Sequence, residues 1–341
     1  MMRCFTLAQK AGKKVRPNPR VGAVLVNNNK IIGEGYHKEA GKEHAEVNCI
    51  QNVAIKDWQL IPESTLYISL EPCSIYGKTP ACTDLILRTG IQNVVVSTLD
   101  PNPLINGNGI RILEKNNIKV IHGILENEGK ILIENFRINQ LEKRPYVILK
   151  IVKSKNHKIG QIGKKIWISN QATTRLSHKW RNEMDGIMVG TNTIINDDPS
   201  LTNRYYGHNQ PTRITFDREN KIQKTSNFKN GEIPTLIFTG KESLANHKNL
   251  EHIPLDFESE SIIHDVLREL FQREIYCLMV EGGAKLIRSF LASGMWDEAR
   301  VISSPTPFSE GINAPNINGK LRAKKDIAGD ELQIIMNKAL H

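Results

Sequence analysis

Short apolar runs with the two-residue period of strands alternate with stretches of helical period along the first 142 residues. Residues 21–26 and 30–36 read as a hairpin turned by Asn27, Asn28 and Asn29. A helix is expected to start near His44 and run through Val47 and Ile50. Strands are expected at 65–70, 93–99 and 119–122, with helices at 82–89 and 110–116, the first of these stopped by Gly90. A longer helix over 124–142 ends at Arg144-Pro145, where a fresh strand, 146–152, begins.

The second half continues the alternation. A helix over 170–184 has Asn170 as N-cap, and strands follow at 186–189, 213–216, 235–238 and 277–280. The stretch 241–261 is charged and reads as irregular, and a helix over 285–291 follows the last of these strands. No internal repeat links the halves. Strand–helix alternation of this kind means layered α/β folding. A chain of 341 residues exceeds one ordinary core, so two domains are expected, 1–143 and 144–341.

Composition narrows this further. With 39% hydrophobic and 24% charged residues the chain is globular. It has no apolar run of membrane-spanning length. The start, MMRCFTLAQKAGKK, lacks an apolar core and a small-residue cleavage site, so no secretory signal and a cytoplasmic location are expected. A net charge of +10 invites nucleic acid, but Lys and Arg are scattered and no dense basic stretch is interleaved with aromatics. A positive field suits phosphorylated small substrates equally well.

The chemistry is concentrated in His44-Ala45-Glu46, Glu71-Pro72-Cys73 and Cys82. One imidazole and two thiolates make a three-ligand zinc site with an open fourth position, and Glu46 is placed to move protons rather than to bind metal. This is the ligand set of zinc deaminases, in which metal-activated water attacks an amidine-like ring carbon. The eight residues between Cys73 and Cys82 exceed the usual two and are more specific than the bare pattern. His44 and Cys82 each open a helix, where unpaired N–H groups favour thiolate and other anions. Cys4, Cys49 and Cys277 read as core; five cysteines with two given to metal offer no disulfide framework.

In the second half, Gly282-Gly283 ends a buried strand and opens a helix, a turn that lets phosphate approach a helix N-terminus. No G-x-G-x-x-G follows a strand, so a nicotinamide cofactor would not be held in Rossmann style. Asn196-Asp197-Asp198-Pro199 reads as a solvated turn. Arg175 and Arg181 fall on different faces of one helix, and Trp167 reads as core on its own evidence.

RPNPRVGAVLV, GEGYHKEAGKEHAE, SLEPCSIYGKTPACTDLI and DPNPLINGNGI resemble the deaminase half of the bifunctional riboflavin-biosynthesis deaminase–reductases. KIWISNQATTRLSHKWR, VGTNTIINDDPSLTNR and MVEGGAKLIRSFL resemble their reductase half. The resemblance spans nearly the whole chain in one domain order. It implies a cytidine-deaminase-like three-layer sandwich followed by a dihydrofolate-reductase-like α/β domain. It also implies two steps: deamination of 2,5-diamino-6-ribosylamino-4(3H)-pyrimidinone 5′-phosphate, then NADPH-dependent reduction of the ribosyl group to ribityl.

By position, the resemblance makes His44, Cys73 and Cys82 zinc ligands and Glu46 the proton carrier. Asn18, His37, Lys78 and Thr79 match deaminase substrate contacts, and Lys165, Arg181, Leu201, Arg204 and Glu281 match reductase substrate positions. Val152, Trp167, Thr193, Asp197 and the run Gly283, Ala284, Lys285, Leu286, Ile287, Arg288, Ser289 match NADP positions. Zinc and NADPH are the implied cofactors, and another copy of the chain the implied partner. Neither nucleic acid nor membrane is expected as a partner.

The chain departs from the family's pattern in four places. Ile75 stands where a histidine is usual, Ser154-Lys155-Asn156-His157 replaces Ser-Leu-Asp-Gly, and Lys165 replaces a serine. The end after Pro315 looks shortened. The departures at 155–165 leave open a deaminase with a weakened or silent reductase half. An RNA-binding or RNA-editing zinc protein, and a purely structural zinc protein, are the other readings, against which the cysteine spacing and the open fourth position speak.

Overall fold

The computed structural model describes residues 1–77, 79–161, 166–240, 246–308 and 310–338. It separates into two compact units, Met1–Lys143 and Arg144–His341.

In the first unit, α1 (Met2–Ala8) precedes β1 (Gly22–Asn27), β2 (Lys30–Tyr36), α2 (Ala45–Gln51), β3 (Thr65–Leu70), α3 (Cys82–Thr89) and β4 (Asn93–Thr98). Then come α4 (Asn108–Lys115), β5 (Lys119–Ile121), α5 (Glu126–Leu132) and α6 (Glu134–Glu142). The sheet order is β2-β1-β3-β4-β5; β1 is antiparallel to both neighbours, and β3, β4 and β5 run parallel. The expected Asn turn is there. Asn27 pairs with Lys30, and Asn28 and Asn29 sit at φ 44° and 61°, the left-handed geometry that matches strand twist and that asparagine tolerates.

Alternation along β1 accounts for three layers. Ala23 and Leu25 join Leu66 and Ile68 of β3 against Ala45 and Cys49 of α2 and Ile86 of α3. Val24 faces the other way, onto Cys4 and Leu7 of α1. Helix α2 sits very close to β2: a Cβ on Gly35 would lie 2.3 Å from the Cys49 nitrogen and 2.6 Å from the Ala45 oxygen. Only glycine there lets the helix backbone down onto the sheet. The helix expected over 124–142 is two helices, because Ile133 leaves helical geometry (φ −104°, ψ 13°) to bury its side chain in the core.

The second unit contains β6 (Tyr146–Lys153), α7 (Gln171–Glu183), β7 (Gly186–Val189), α8 (Thr191–Asp197), β8 (Thr212–Phe216), β9 (Thr235–Thr239) and β10 (Leu250–Pro254). It continues with α9 (Ile262–Gln272), β11 (Cys277–Gly282), α10 (Ala284–Ser293), β12 (Glu298–Ser303), β13 (Lys320–Ile327) and β14 (Asp330–Met336). The sheet order is β10-β9-β8-β7-β11-β6-β12-β14-β13. All pairings from β10 to β12 are parallel, and only the C-terminal hairpin is antiparallel.

Strands β6, β11 and β12 pack Val147, Leu149, Leu278, Val280, Ala299 and Val301 against Val266 and Leu270 of α9 and Ile287 and Phe290 of α10. The stretch expected to be irregular contains β10, a parallel edge strand. The expected acidic turn is instead a helix end. Asp197 closes α8, and Asp198, at φ 39°, accepts from the Asn227 backbone (2.8 Å) and its side-chain amide (2.7 Å). At the start of the unit, Arg144 and Asp297 form a buried two-pronged pair (2.7 and 2.8 Å), and the same carboxylate accepts from the Val147 backbone at 2.7 Å.

Candidate functional site

His44 is the N-cap of α2 and Cys82 the first residue of α3, so both helix starts point their side chains toward Cys73, just past the end of β3. His44 Nδ1 lies 3.3 Å from Cys82 Sγ and 3.5 Å from Cys73 Sγ. The three ligand atoms lie within 4.8 Å of one another, and they form the one such cluster among the described residues. The Cys82 backbone N–H donates to Cys73 Sγ at 3.3 Å, which supports a thiolate there. This donor set fits a zinc ion: one nitrogen and two soft sulfurs converge, and a fourth direction stays open.

Glu46, the second residue of α2, is 3% exposed. Burial, and after it the Cys73 charge, pushes its carboxyl up to about 7. Cys73 is drawn down, first by its hydrogen bond from Cys82, while that same bond and burial push Cys82 up. His37 stacks edge-on to His44 with ring centroids 5.1 Å apart. Its Nδ1 donates to the Glu43 carbonyl (2.9 Å), so Nε2 accepts from the Asn18 amide (3.0 Å). Burial lowers the His37 pKa and keeps the ring neutral. Thr79 Oγ1 sits 3.4 Å from His44 Nε2. Asn18, His37, His44, Glu46, Cys73, Thr79 and Cys82 therefore form one cluster; Lys78 lies outside the described residues. Ile75 is 44% exposed on the loop between the cysteines.

The sequence motif includes Glu71, but sequence reasoning gave it no role. Its buried carboxylate accepts from the backbone of Asp100 (3.1 Å), Gly107 (2.9 Å) and Gly109 (2.9 Å), fixing the loop that follows β4 beside the metal ligands. The signal was an acid at the end of a buried strand, two residues before a ligand.

In the second unit, Arg181 and Glu281 pair through two bonds of 2.7 Å, and Lys150 Nζ approaches Glu281 at 3.6 Å. Burial would raise the Glu281 carboxyl, but Arg181 and Lys150 overcome it and hold the group at about 2. Burial lowers Lys150, with Glu281 opposing. Arg181 also donates to the Thr202 carbonyl at 3.1 Å. Its fork is thus occupied, and Arg204 is the exposed guanidinium, touching His178. Leu201 is buried at φ 53°. Lys150 and His178 were missed; a lysine inside the apolar run of β6 was the available signal.

Among the cofactor positions, Thr193 and Gly283 come together. A Cβ on Gly283 (φ 81°) would lie 3.2 Å from Thr193 Oγ1 and 3.6 Å from the Gly190 nitrogen. The starts of α8 and α10 thus frame a cradle that a side chain would fill, a fit for a cofactor phosphate. Ala284 opens α10, and Lys285, Arg288 and Ser289 are exposed, whereas Leu286 and Ile287 point into the core and offer only backbone. Val152 pairs with Ile302 on β12, Asp197 ends α8, and Trp167, expected in the core, is 70% exposed. Lys165 lies outside the described residues.

His157, which replaces a family glycine, keeps a glycine-like φ of 61°. The turn is well bonded: Ser154 N donates to Lys158 O (2.8 Å), Lys155 N to Thr306 O (3.1 Å), Phe308 N to Asn156 Oδ1 (3.0 Å) and Ala314 N to His157 O (2.8 Å).

Residues 1–98 match the cytidine and deoxycytidylate deaminase zinc-binding region, and residues 145–311 match the RibD C-terminal domain. The riboflavin biosynthesis protein RibD of Aquifex aeolicus is 37% identical over 99% of this chain and 97% of its own. That of Bacillus amyloliquefaciens is 34% identical over 96% and 90%. The crystal structure of a diaminohydroxyphosphoribosylaminopyrimidine deaminase/5-amino-6-(5-phosphoribosylamino)uracil reductase from Thermotoga maritima is 33% identical, with a TM-score of 0.88 over 99% of this chain and 97% of that one.

Proposed function

The chain belongs to the RibD family of riboflavin-biosynthesis deaminase–reductases, and on that premise we propose which of its residues carry each step. The enzyme is bifunctional, with zinc and NADPH as cofactors: it deaminates and it reduces. We take the substrate to be 2,5-diamino-6-ribosylamino-4(3H)-pyrimidinone 5′-phosphate and the product 5-amino-6-ribitylaminouracil 5′-phosphate.

In the deaminase half, His44, Cys73 and Cys82 hold zinc, which when bound supplies Lewis acidity and water of lowered pKa. Glu46 takes a proton at its carboxylate and delivers it to the departing amine, a role that suits a buried carboxyl raised toward neutrality. His37 orients the Asn18 amide toward the pyrimidine, with Thr79 beside it, and Lys78 is a further substrate contact by family position alone. In the reductase half, Arg204 takes the substrate phosphate. Arg181 and Glu281, locked to each other, shape the sugar site together with Leu201, and Lys165 is assigned to the substrate by family position alone. Thr193, Gly283 and the first turn of α10 hold the cofactor phosphate, with Val152, Trp167 and Asp197 at the remaining cofactor positions. NADPH supplies the hydride, and the protein positions an opened sugar imine against it.

The observation that carries this reading is the convergence of His44, Cys73 and Cys82 beside buried Glu46. Nothing in the comparisons favours a silent reductase half, and the departing turn at 154–158 is tied by hydrogen bonds from the Ser154, Lys155, His157 and Lys158 backbone N–H groups. No helix among the described residues is long and apolar enough to cross a membrane. We place the enzyme in the cytoplasm, since its five cysteines are free, and take its partner to be another copy of the chain, on the family's ground alone, with no nucleic acid bound.

The test is a two-step assay on zinc-loaded protein, following ammonia release and then NADPH oxidation. Glu46→Gln is expected to cut ammonia release by roughly 10²–10⁴-fold while keeping zinc and keeping NADPH oxidation on pre-deaminated substrate. Equal ammonia release from both proteins would remove Glu46 from the mechanism.

A further inference from the structure

We propose that His178 is a positioning residue of the reductase half, its ring holding Arg204 in the orientation that receives the substrate phosphate. The inference rests on the reductase reading above. Helix α7 carries His178 three residues before Arg181, so both side chains project from the same side. His178 is 2% exposed. Its Nδ1 accepts the Arg204 backbone N–H at 3.2 Å, and Nε2 lies 3.4 Å from Arg204 Nη2. With Nδ1 accepting, the neutral ring carries its proton on Nε2, so its hydrogen bond fixes the Arg204 backbone, and the approach of Nη2 is a packing contact.

The ring is itself held in place. Tyr205 packs edge-on against it, with centroids 4.7 Å apart and planes at 82°, and Arg175 lies over the Tyr205 ring at 5.9 Å. The Thr202 carbonyl, which accepts from Arg181 Nη1, hydrogen-bonds His178 as well. The neighbouring Asn203 organises the rest of the loop. Its Oδ1 accepts from the backbones of Tyr205 (3.2 Å) and Tyr206 (3.1 Å), and its backbone exchanges two bonds of 2.8 Å with Gln210. Asn203 shapes the loop, and His178 aims the arginine.

The ring suits this task only while neutral, since an imidazolium would place a third cation beside Arg181 and Arg204. Burial, then Arg181 and Arg204, lower its pKa to about 4, with Glu281 pulling the other way. An exposed arginine left unaimed has to be ordered at each binding event. That cost falls on substrate affinity and not on the hydride step.

The test uses the full, zinc-loaded chain with pre-deaminated substrate and NADPH. His178→Phe keeps the ring's shape and removes its nitrogens, and His178→Gln restores an acceptor. The Phe variant is expected to raise KM for the deaminated substrate roughly three- to tenfold, with kcat, NADPH affinity and ammonia release unchanged, and the Gln variant to recover most of the loss. A KM within about twofold of wild type, or a joint fall in kcat, NADPH affinity and Tm, overturns the proposal. Should the Phe variant fold poorly, His178→Leu combined with Arg204→Ala decides: overlapping losses support the coupling, and fully additive losses overturn it. A wild-type enzyme that releases ammonia but never oxidises NADPH overturns the reductase reading and this inference with it.

Discussion

Replacing Glu281 with glutamine leaves the shape of the Arg181–Lys150 cluster nearly unchanged and removes the carboxylate that pairs with both cations. The side chain is 4% exposed, and the two cations are 15% and 12% exposed, so solvent screens the cluster little. A carboxyl held at about 2 instead of its ordinary 4.5 corresponds to about 3 kcal/mol of stability for the ionised form. Breaking a buried pair costs about 3–5 kcal/mol; burial already lowers the Lys150 pKa, which places the cost at the lower end.

The pH dependence fixes the sign. The folded-state pKa is depressed, so the contribution is complete above about 4.5, falls to about half near pH 3, and is lost as pH drops through about 2. Urea unfolding of the full chain, read through Trp180 and Trp296, which are buried in this unit, should show a deficit of about 3 kcal/mol for Glu281→Gln at pH 7 that shrinks toward pH 3. An equal deficit at both pH values would refute the electrostatic account, and so would the absence of a deficit at pH 7.

Asp297→Ala strips Arg144 of its buried partner and the Val147 N–H of its acceptor, and should cost about 3–5 kcal/mol, measured by thermal melting of the full chain. His157→Gly relieves a left-handed backbone at φ 61° and should raise stability by about 0.5–1 kcal/mol without slowing NADPH oxidation; a loss of stability would contradict the strain argument. Cys82→Ser, or treatment with a chelator, should empty the zinc site as read by metal analysis and abolish ammonia release, while NADPH oxidation on pre-deaminated substrate persists. Loss of both activities would mean that the two sites are not separable.

The zinc cluster was legible because its chemistry is carried by rare residue types at helix starts, and α/β alternation alone places helix starts near strand ends. The Asn27–Asn29 turn was legible for the same reason: few residues accept its backbone. What escaped depends on tertiary contact. Ile133 breaks a helix that its own residues would continue, because the core accepts its side chain better than the helix does. Strand β10 lies in a polar stretch at a sheet edge and buries only Leu250 and Ile253, three residues apart, so no apolar alternation marks it. Helix α9 and strands β12 to β14 also went unread. Lys150 and His178 acquire meaning only when β11 and the 201–210 loop arrive beside them. The occupation of the Arg181 fork by Glu281 joins residues a hundred positions apart.

The place of β11 in the sheet, between β7 and β6, also sets a timetable for synthesis. Strand β6 ends at Lys153, but the strand that pairs with it ends at Gly282. At ribosomal speeds of ~5–20 residues per second, β6 and β7 wait on the order of ten seconds for their common neighbour. Throughout that interval the apolar faces of Val147, Leu149 and Met188 have no finished sheet to join. The first unit, Met1–Lys143, is a compact body of its own, and all of its strands have left the ribosome while the second sheet is still open. A ribosome stalled in that interval should therefore leave chains that carry the whole first sheet and an unfinished, aggregation-prone second one.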